Sequence, residues 1–176
     1  DDLWERYMRN GGTSLNASTG EDSTQYFVEL PANKIELFFW QESDRMTDCV
    51  WREFYSEREV VKEERRLSVE STPTGRINEA FEAMFWEAHP YSWPVVGWMK
   101  DLERITRAEC MDYFHTYYAP NNATLYVVGD FDPKSALASI RRSYGDIPQG
   151  PPPPAVVDGE PEQKGERRAQ VHHPAQ

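Results

Sequence analysis

Two glutamates within one helical segment are the residues of this sequence that are best spaced to act together. Glu57 and Glu64 lie seven residues apart in SEREVVKEERRLSVES (56–71), a segment with neither glycine nor proline. Seven residues are two turns of an α-helix, so both carboxylates point the same way. The apolar residues predicted to extend this stripe are Phe54, Val60, Val61 and Leu67.

Carboxylates within an apolar stripe have two interpretations. In the first, the helix lies at the surface and its glutamates form weak, exposed ion pairs with Arg58, Arg65 or Arg66. In the second, the stripe faces inward, where a carboxylate is costly to bury unless it meets a cation, which is an arginine or a metal ion. Zinc accepts carboxylate oxygen readily, and a hydrolytic zinc needs three protein ligands and a water molecule.

The histidines do not complete a zinc site by their spacing. No H-x-x-H or H-x-x-x-H pair occurs among them, and they are His89, His115, His172 and His173. Glu64 with two of these histidines is conceivable, but no spacing supports it. Taken alone, the residues therefore predict an α+β domain and leave its chemistry open.

Composition limits the class of protein and its partners. The chain has 176 residues, of which 13% are aromatic, and this suits one globular domain. Its formal net charge of -11 repels nucleic acid and anionic lipid, so we expect neither as a partner. No apolar run approaches the roughly 20 residues of a membrane span. Cys49 and Cys110 are too few for a disulfide framework or a four-thiolate zinc site, and their pairing stays open.

Hydrophobic periodicity and turn residues predict a sheet with helices packed on one face. Strands are predicted at 13–19 and 23–31, joined by a GED turn as an antiparallel hairpin, and at 122–130. Helices are predicted over 32–47, 51–69, 76–88, 106–118 and 132–148. This order indicates an α+β fold with an antiparallel-rich sheet.

Five stretches of the sequence resemble a known family. They are NASTGEDSTQYFVELP, DRM (44–46), EREVVKEERR, HPYSWPVVGWMKDL and YAPNNATLYVVGDFDP, in family order over about residues 1–150. Together they resemble the catalytic-domain portion of the insulinase (pitrilysin, M16) family of zinc peptidases, and its bacterial members above all. The resemblance implies a fold like that of the mitochondrial processing peptidases, incomplete at both ends.

The resemblance also implies a domain organisation. Residues 1–147 are expected to be part of the N-terminal M16 peptidase domain, 148–160 a proline-rich linker, and 161–176 the start of the following M16 domain. The opening DDLWERYMRNGG has the pattern of a helix end closed by two glycines, and RRAQVHHPAQ that of an interrupted strand. Both ends are therefore expected to be internal to a longer polypeptide.

The zinc site of the family implies roles for the two glutamates. In its H-x-x-E-H motif the histidines bind zinc and the glutamate activates water, and a third ligand, a glutamate, follows about seventy-five residues downstream. Another helix glutamate precedes this ligand at the spacing of Glu57 and Glu64. The resemblance thus implies that Glu64 binds one zinc ion and that Glu57 orients the site from the outer shell.

The family motif H-x-x-E-H is missing from this sequence. Matching Glu64 to the family's third ligand places the motif, with its general base, about a dozen residues before Asp1. The 176 residues alone are therefore expected neither to bind catalytic zinc tightly nor to hydrolyse peptides.

The same resemblance assigns a role to SLNAST (14–19). It resembles the family's edge strand, to which substrate adds as an extra β-strand, so Asn16, Ala17 and Ser18 are candidate substrate contacts. An ordinary edge strand with a polar face is the alternative. His89 is interpreted as a structural histidine, because the family's zinc histidines come from the inverted motif.

The resemblance implies a zinc metalloendopeptidase that cleaves peptides or small unfolded proteins and works with a second M16-like lobe or subunit. A periplasmic location is expected, because bacterial relatives of this type are often exported. Two alternatives stay open. One is a non-catalytic M16-like subunit that binds peptide or completes a partner's chamber, and the other is a plain structural domain whose Glu64 is exposed and paired with arginine.

Overall fold

The computed structural model describes residues 3–173, which form two compact units. Within that range, one unit contains residues 3–50 and 111–153, and the other contains residues 51–110 and 154–173. Each unit therefore combines two stretches of chain that are distant in sequence.

Seven α-helices and one antiparallel hairpin occur among the described residues, which is the α+β class that the sequence predicts. In chain order they are α1 (Leu3–Arg9), β1 (Thr13–Thr19), β2 (Thr24–Glu29), α2 (Ile35–Thr47), α3 (Phe54–Arg65), α4 (Pro73–Phe85), α5 (Met99–Leu102), α6 (Arg107–Tyr117) and α7 (Pro133–Tyr144). The second unit contains α3, α4 and α5, whereas α6 continues into the first unit. None of these helices has the length and apolarity needed to cross a lipid bilayer.

The β1–β2 hairpin closes at the predicted GED turn. Gly20 N–H donates to Ser23 O at 2.9 Å, and further along the strands Asn16 pairs with Phe27. The pairing shifts by one residue before Asn16, at a β-bulge where Ser14 adopts a φ of 54°. Because a bulge bends its strand, it changes the direction of β1 just before the candidate substrate contacts.

The strand predicted at 122–130 does not form in the described structure. Pro120–Asn122 is a 3-10 turn, and no described segment pairs with the residues that follow it. Tyr126 and Val128 are 83% and 95% exposed. A strand requires a hydrogen-bonded neighbour for its backbone groups, and the apolar, β-branched pattern by itself says nothing about that neighbour.

A buried polar network fixes α1 against α2 in the first unit. Tyr7 is fully buried, and its hydroxyl donates to Glu42 at 2.8 Å. Arg45 forms an ion pair with the same carboxylate. Burial raises the pKa of Tyr7 above its usual range, so the phenol stays a hydrogen-bond donor. A network of this kind specifies one packing arrangement because each member depends on its partners.

A π-helical turn, Arg66–Glu70, ends α3 and leads into α4. The hydroxyl of Thr72 accepts the N–H of Gly75 at 3.1 Å and Pro73 occupies the first turn, so α4 begins at Pro73 and not after Gly75 as predicted. Gly75 lies directly against the π turn. A Cβ at this position would stand 2.4 Å from the carbonyl oxygen of Ser68.

The C-terminal segment, 154–173, has no regular secondary structure and is held by side chains. The Glu160 carboxylate accepts three successive backbone N–H groups, beginning at Glu87, over 2.7 to 3.0 Å. Arg167 donates to two carbonyls of the last turn of α4 and pairs with Glu87 at 2.8 Å. These bonds complete the end of α4. The N–H groups also lower the pKa of the Glu160 carboxyl.

Replacing Gly75 by alanine should destabilise the protein, because the new methyl group would meet backbone atoms of Ser68 and Val69 at 2.4 and 2.6 Å. We expect a loss of about 1–3 kcal/mol in the free energy of unfolding, as at other overpacked sites. Urea denaturation measures this loss. Gly159→Ala is the control, since nothing lies within 4 Å of a Cβ there. Equal midpoints for the two variants would contradict the close packing.

Glu160→Gln should release the C-terminal segment at neutral pH. The pKa of the folded carboxyl is lowered, so the charged group stabilises the docked segment above the ordinary glutamate pKa of about 4.3. That contribution is lost as the pH falls through the lower folded pKa. The backbone amides of residues 154–173 should therefore exchange hydrogen faster in Glu160→Gln than in the wild type at pH 7. Below the pKa of Glu160 in the folded protein, the two proteins should exchange at the same rate.

Glu162→Gln is the matched control for this experiment, because the Glu162 carboxylate has no hydrogen bond or ion pair among the described residues. Its exchange at pH 7 should equal that of the wild type. Equal exchange in the wild type and in Glu160→Gln would show that Glu160 does not anchor the segment.

Candidate functional site

Helix α3 presents both candidate glutamates to solvent. Glu57 and Glu64 are exposed, and so are Val60 (58%) and Leu67 (63%) of the same stripe. The interpretation in which the stripe faces inward is therefore wrong for the described structure. The reason lies in helical geometry, because Val61 is rotated by about 100° from Val60 and belongs to the half-buried flank.

The arginines next to the glutamates are paired with other acids. The ion pairs are Arg58–Glu59 (3.6 Å), Arg66–Glu63 (2.9 Å), Arg65–Glu79 (2.6 Å) and Arg65–Glu70 (3.4 Å). Within residues 3–173, the carboxylates of Glu57 and Glu64 make neither an ion pair nor a hydrogen bond. The alternative of a plain structural domain predicts that Glu64 is exposed and paired with an arginine. Glu64 is exposed, but within the described residues it has no arginine partner.

Helix α3 holds no complete metal site in the described structure. No cluster of three or more His, Cys, Asp or Glu that could hold an ion occurs in the described part of the chain. The helical rise separates the Cα atoms of Glu57 and Glu64 by about 10 Å, whereas a zinc–oxygen bond is about 2 Å long. One carboxylate can therefore bind an ion while the other acts from the surrounding shell. Unpaired carboxylate oxygens fit the donor chemistry of zinc.

His89 has a structural role, as the sequence predicts. Its Nδ1 accepts the N–H of Tyr91 at 3.1 Å, and its ring packs against Trp86 with 4.8 Å between the centroids. This hydrogen bond caps the 3-10 turn Pro90–Ser92.

The candidate substrate contacts lie on an open strand edge. Asn16, Ala17 and Ser18 are exposed, and β1 pairs with β2 alone within the described chain. The side-chain oxygen of Asn16 accepts the N–H of Ala17 at 2.8 Å. A strand with one unpaired edge is what the addition of a peptide strand requires.

Tyr26, which pairs with Ala17 in the hairpin, is held in place by side chains of the first unit. Its hydroxyl lies 3.2 Å from that of Tyr118, and the Arg45 guanidinium lies over its ring, 4.0 Å from the centroid. Burial, and then the hydrogen bond with Tyr118, raises the pKa of Tyr26 to about 12. The sequence did not predict these contacts of Tyr26 with Tyr118 and Arg45. The one feature of the sequence that pointed to them was that Arg45 belongs to the DRM stretch.

A small cavity of about 90 Å³ adjoins the same hairpin. Asn16 is among its lining residues, together with Tyr26 and Arg45. The apolar part of the lining comes from Leu3, Leu15, Phe27, Val28 and Phe38.

Both cysteines are free thiols. Cys49 and Cys110 are half-buried, and burial raises the pKa of each. The two residues are therefore neither a disulfide nor activated thiolates in this structure.

Comparison with known proteins defines the family. The family profile described as Peptidase M16 inactive domain matches residues 104–176. Zinc protease PqqE of Helicobacter pylori is 32% identical over 170 residues, which are 93% of this chain and 38% of that protein. Probable zinc protease PqqL of Escherichia coli is 28% identical over 143 residues, 78% of this chain and 15% of that protein. The chain thus spans well under half the length of these relatives.

Solved structures show the same fold. A protease from Helicobacter pylori is similar with a TM-score of 0.85 and 28% identity, over 92% of this chain and 39% of that one. The first half of the periplasmic protease PqqL from Escherichia coli has a TM-score of 0.76 at 23% identity, over 90% and 36% of the two chains. The fold is that of a peptidase domain of the α+β class. The chain belongs to the M16 family of peptidases.

The matched family profile begins beyond the candidate metal residues. It starts at residue 104, whereas Glu57 and Glu64 lie on α3, so the name of that profile does not describe them. The division of the chain into a peptidase domain (1–147), a linker (148–160) and the start of a following domain (161–176) stays a prediction.

Glu64→Gln should hardly change stability, because its carboxylate is exposed and has no partner within the described residues. We expect a change within about 0.5 kcal/mol in the free energy of unfolding. Glu79→Gln should cost about 1–3 kcal/mol, since it takes an ion-pair partner from the buried Arg65. Urea denaturation measures the free energy of unfolding of both variants. A loss for Glu64→Gln as large as that for Glu79→Gln would contradict the finding that the Glu64 carboxylate has no partner within the described residues.

Proposed function

We propose that this chain is part of a zinc-dependent metalloendopeptidase that hydrolyses peptides or small unfolded proteins. In this proposal Glu64 is a ligand of one zinc ion, and Glu57 orients the site from the outer shell. The observation that supports the proposal is the exposure of Glu57 and Glu64 on α3. Two exposed carboxylates project from one side without a partner among residues 3–173, although the three arginines beside them are all engaged with other acids.

The remaining parts of the zinc site are assigned outside these 176 residues. The proposal needs two histidines and a general base, which the family supplies in its H-x-x-E-H motif and which this sequence lacks. A bound zinc ion would act as a Lewis acid on the scissile carbonyl and on water. Glu64 would contribute a carboxylate oxygen, and because no arginine in the described part of the chain pairs with it, its charge is available to a cation.

The β1 edge supports a peptide substrate. Main-chain hydrogen bonds to a strand edge do not depend on the side chains of the peptide, which suits varied or unfolded sequences. Asn16, Ala17 and Ser18 would make these contacts. For Ala17 N–H to bind substrate, the Asn16 side chain has to release it. Tyr26, held by Tyr118 and Arg45, would keep the strand in place during binding.

Partners and location follow from the relatives. We assign a second M16-like lobe or subunit to the working enzyme, because the similar Escherichia coli structure is described as the first half of its protein. We assign a periplasmic location because that relative is described as a periplasmic protease. Residues 1–147, 148–160 and 161–176 are assigned as peptidase domain, linker and start of the next domain.

A non-catalytic M16-like subunit is the second candidate. One observation favours it: the profile that matches residues 104–176 is described as an inactive domain. Such a subunit would bind peptide at β1 or complete a partner's chamber. The retained pair of unpaired glutamates favours the peptidase.

Substitution in the intact protein that carries this chain tests the proposal. Glu64→Gln should reduce bound zinc, measured by metal analysis, from about one ion per chain to less than a tenth, and should abolish peptide hydrolysis. Glu57→Gln should retain zinc but lower kcat about 10- to 100-fold. Glu63→Gln is the control, because its carboxylate forms an exposed pair with Arg66 and should leave both measurements unchanged.

Two results would decide against the peptidase. Undiminished zinc in Glu64→Gln would exclude this ligand. A wild-type protein that holds no zinc and cleaves nothing, yet binds peptide, would identify the non-catalytic subunit.

A further inference from the structure

Two arginines repeat the spacing of the two candidate glutamates. Arg58 and Arg65 directly follow Glu57 and Glu64, so they too lie two helical turns apart on α3. Arg65 is only 5% exposed and Arg58 is half-buried. Successive helix positions differ by about 100°, so the arginines lie on the packed flank while the glutamates lie on the exposed one.

Both arginines bind backbone carbonyls around the same short helix. Arg58 Nη1 donates to Ile105 O at 3.3 Å, after the end of α5, and Arg65 Nη1 donates to Gly97 O at 2.8 Å, before its start. The two guanidinium groups also lie over aromatic rings, Arg58 over Tyr55 at 5.3 Å and Arg65 over Trp98 at 5.6 Å. Helix α3 is therefore attached at two points to the segment that contains α5.

Arg65 also ties α3 to the two elements that follow it. Its Nη2 lies 2.6 Å from Glu79 of α4, and its Nε lies 3.4 Å from Glu70 of the π turn. The Nε atoms of Arg58 and Arg65 are buried, and neither has a hydrogen-bond partner in the described structure. Apolar residues of similar size would avoid that cost. The contacts of the two arginines with α4, the π turn and the segment around α5 favour a role in fixing the orientation of α3.

We propose that Arg58 and Arg65 are positioning residues, which set the rotation of α3 about its axis so that Glu57 and Glu64 project toward the metal. This inference rests on the proposed function, in which Glu64 binds zinc. Side chains of a helix end about 5–6 Å from its axis, so a rotation of about 20° moves a carboxylate by about 2 Å. Metal–ligand distances tolerate only about 0.2 Å, so a small rotation is enough to weaken binding.

The test compares zinc affinity with fold stability in the intact protein. Arg65→Met should weaken zinc binding about 10- to 100-fold, the range seen when groups that orient a ligand are removed. Chelator competition measures the affinity, and thermal unfolding of the metal-free protein reports on the fold. Arg58→Met should act on Glu57 and lower kcat with a smaller effect on zinc. Arg66→Met is the control, since Arg66 is exposed and, among the described residues, forms an ion pair only with Glu63, and should change neither.

Two further variants separate positioning from folding. Arg65→Lys keeps the charge but not the forked guanidinium, so its zinc affinity should lie between those of the wild type and Arg65→Met. In a Glu64→Gln background, Arg65→Met should weaken the residual zinc binding no further, because the ligand that it positions is gone. If the effects of the two substitutions simply add, Arg65 has a purely structural role.

The proposed function and the positioning role fail in different ways. If Glu64→Gln leaves zinc affinity unchanged, the metal assignment is wrong and the positioning role falls with it. If Glu64→Gln abolishes tight binding while Arg65→Met and Arg58→Met keep zinc affinity and kcat within twofold of the wild type, only the positioning role is wrong.

Discussion

The attachment of α3 through the buried guanidinium of Arg65 is the interaction on which the candidate metal face depends. This side chain contacts Glu79 of α4, Glu70 of the π turn and the carbonyl of Gly97. A buried cation is stable only while such partners surround it, so the contacts form or are lost together. By orienting one flank of α3 inward, they leave the other flank, with Glu57 and Glu64, directed outward.

In the first unit, polar side chains likewise hold the candidate substrate surface, the edge of β1, in place. Tyr7 and Arg45 share the Glu42 carboxylate, and Arg45 also lies over the ring of Tyr26 in β2. Interior polar groups gain strength from the low dielectric around them and are costly to leave unpaired, which favours one arrangement over others. The exposed edge of β1, in contrast, has no neighbouring strand other than β2 among the described residues. In each unit the candidate surface is thus open, and it is held by a buried residue, Tyr7 or Arg65, with half-buried partners.

Membership of the M16 family and the state of the glutamates together limit what the chain can do. The relatives named as zinc proteases are longer than this chain, which spans 38% of the one from Helicobacter pylori. Exposed glutamates without a partner are common on helix surfaces, so the metal role of Glu57 and Glu64 rests on the family resemblance and is tested by the zinc measurements. The C-terminal segment adds another constraint, since Glu160 satisfies three N–H groups that no other described side chain reaches.

The sequence alone determined the features that depend on local patterns. The GED turn set the hairpin, the run of good helix formers set α3, and seven-residue spacing put Glu57 and Glu64 on one side. Tertiary structure decided which flank of α3 is buried, because Val60 and Val61 are equally apolar and only the elements packed beside them distinguish the two. It also decided that 122–130 has no strand partner in the described structure, and that Arg65 meets Glu79 and Gly97. Such contacts join residues far apart in sequence, and no local pattern encodes them.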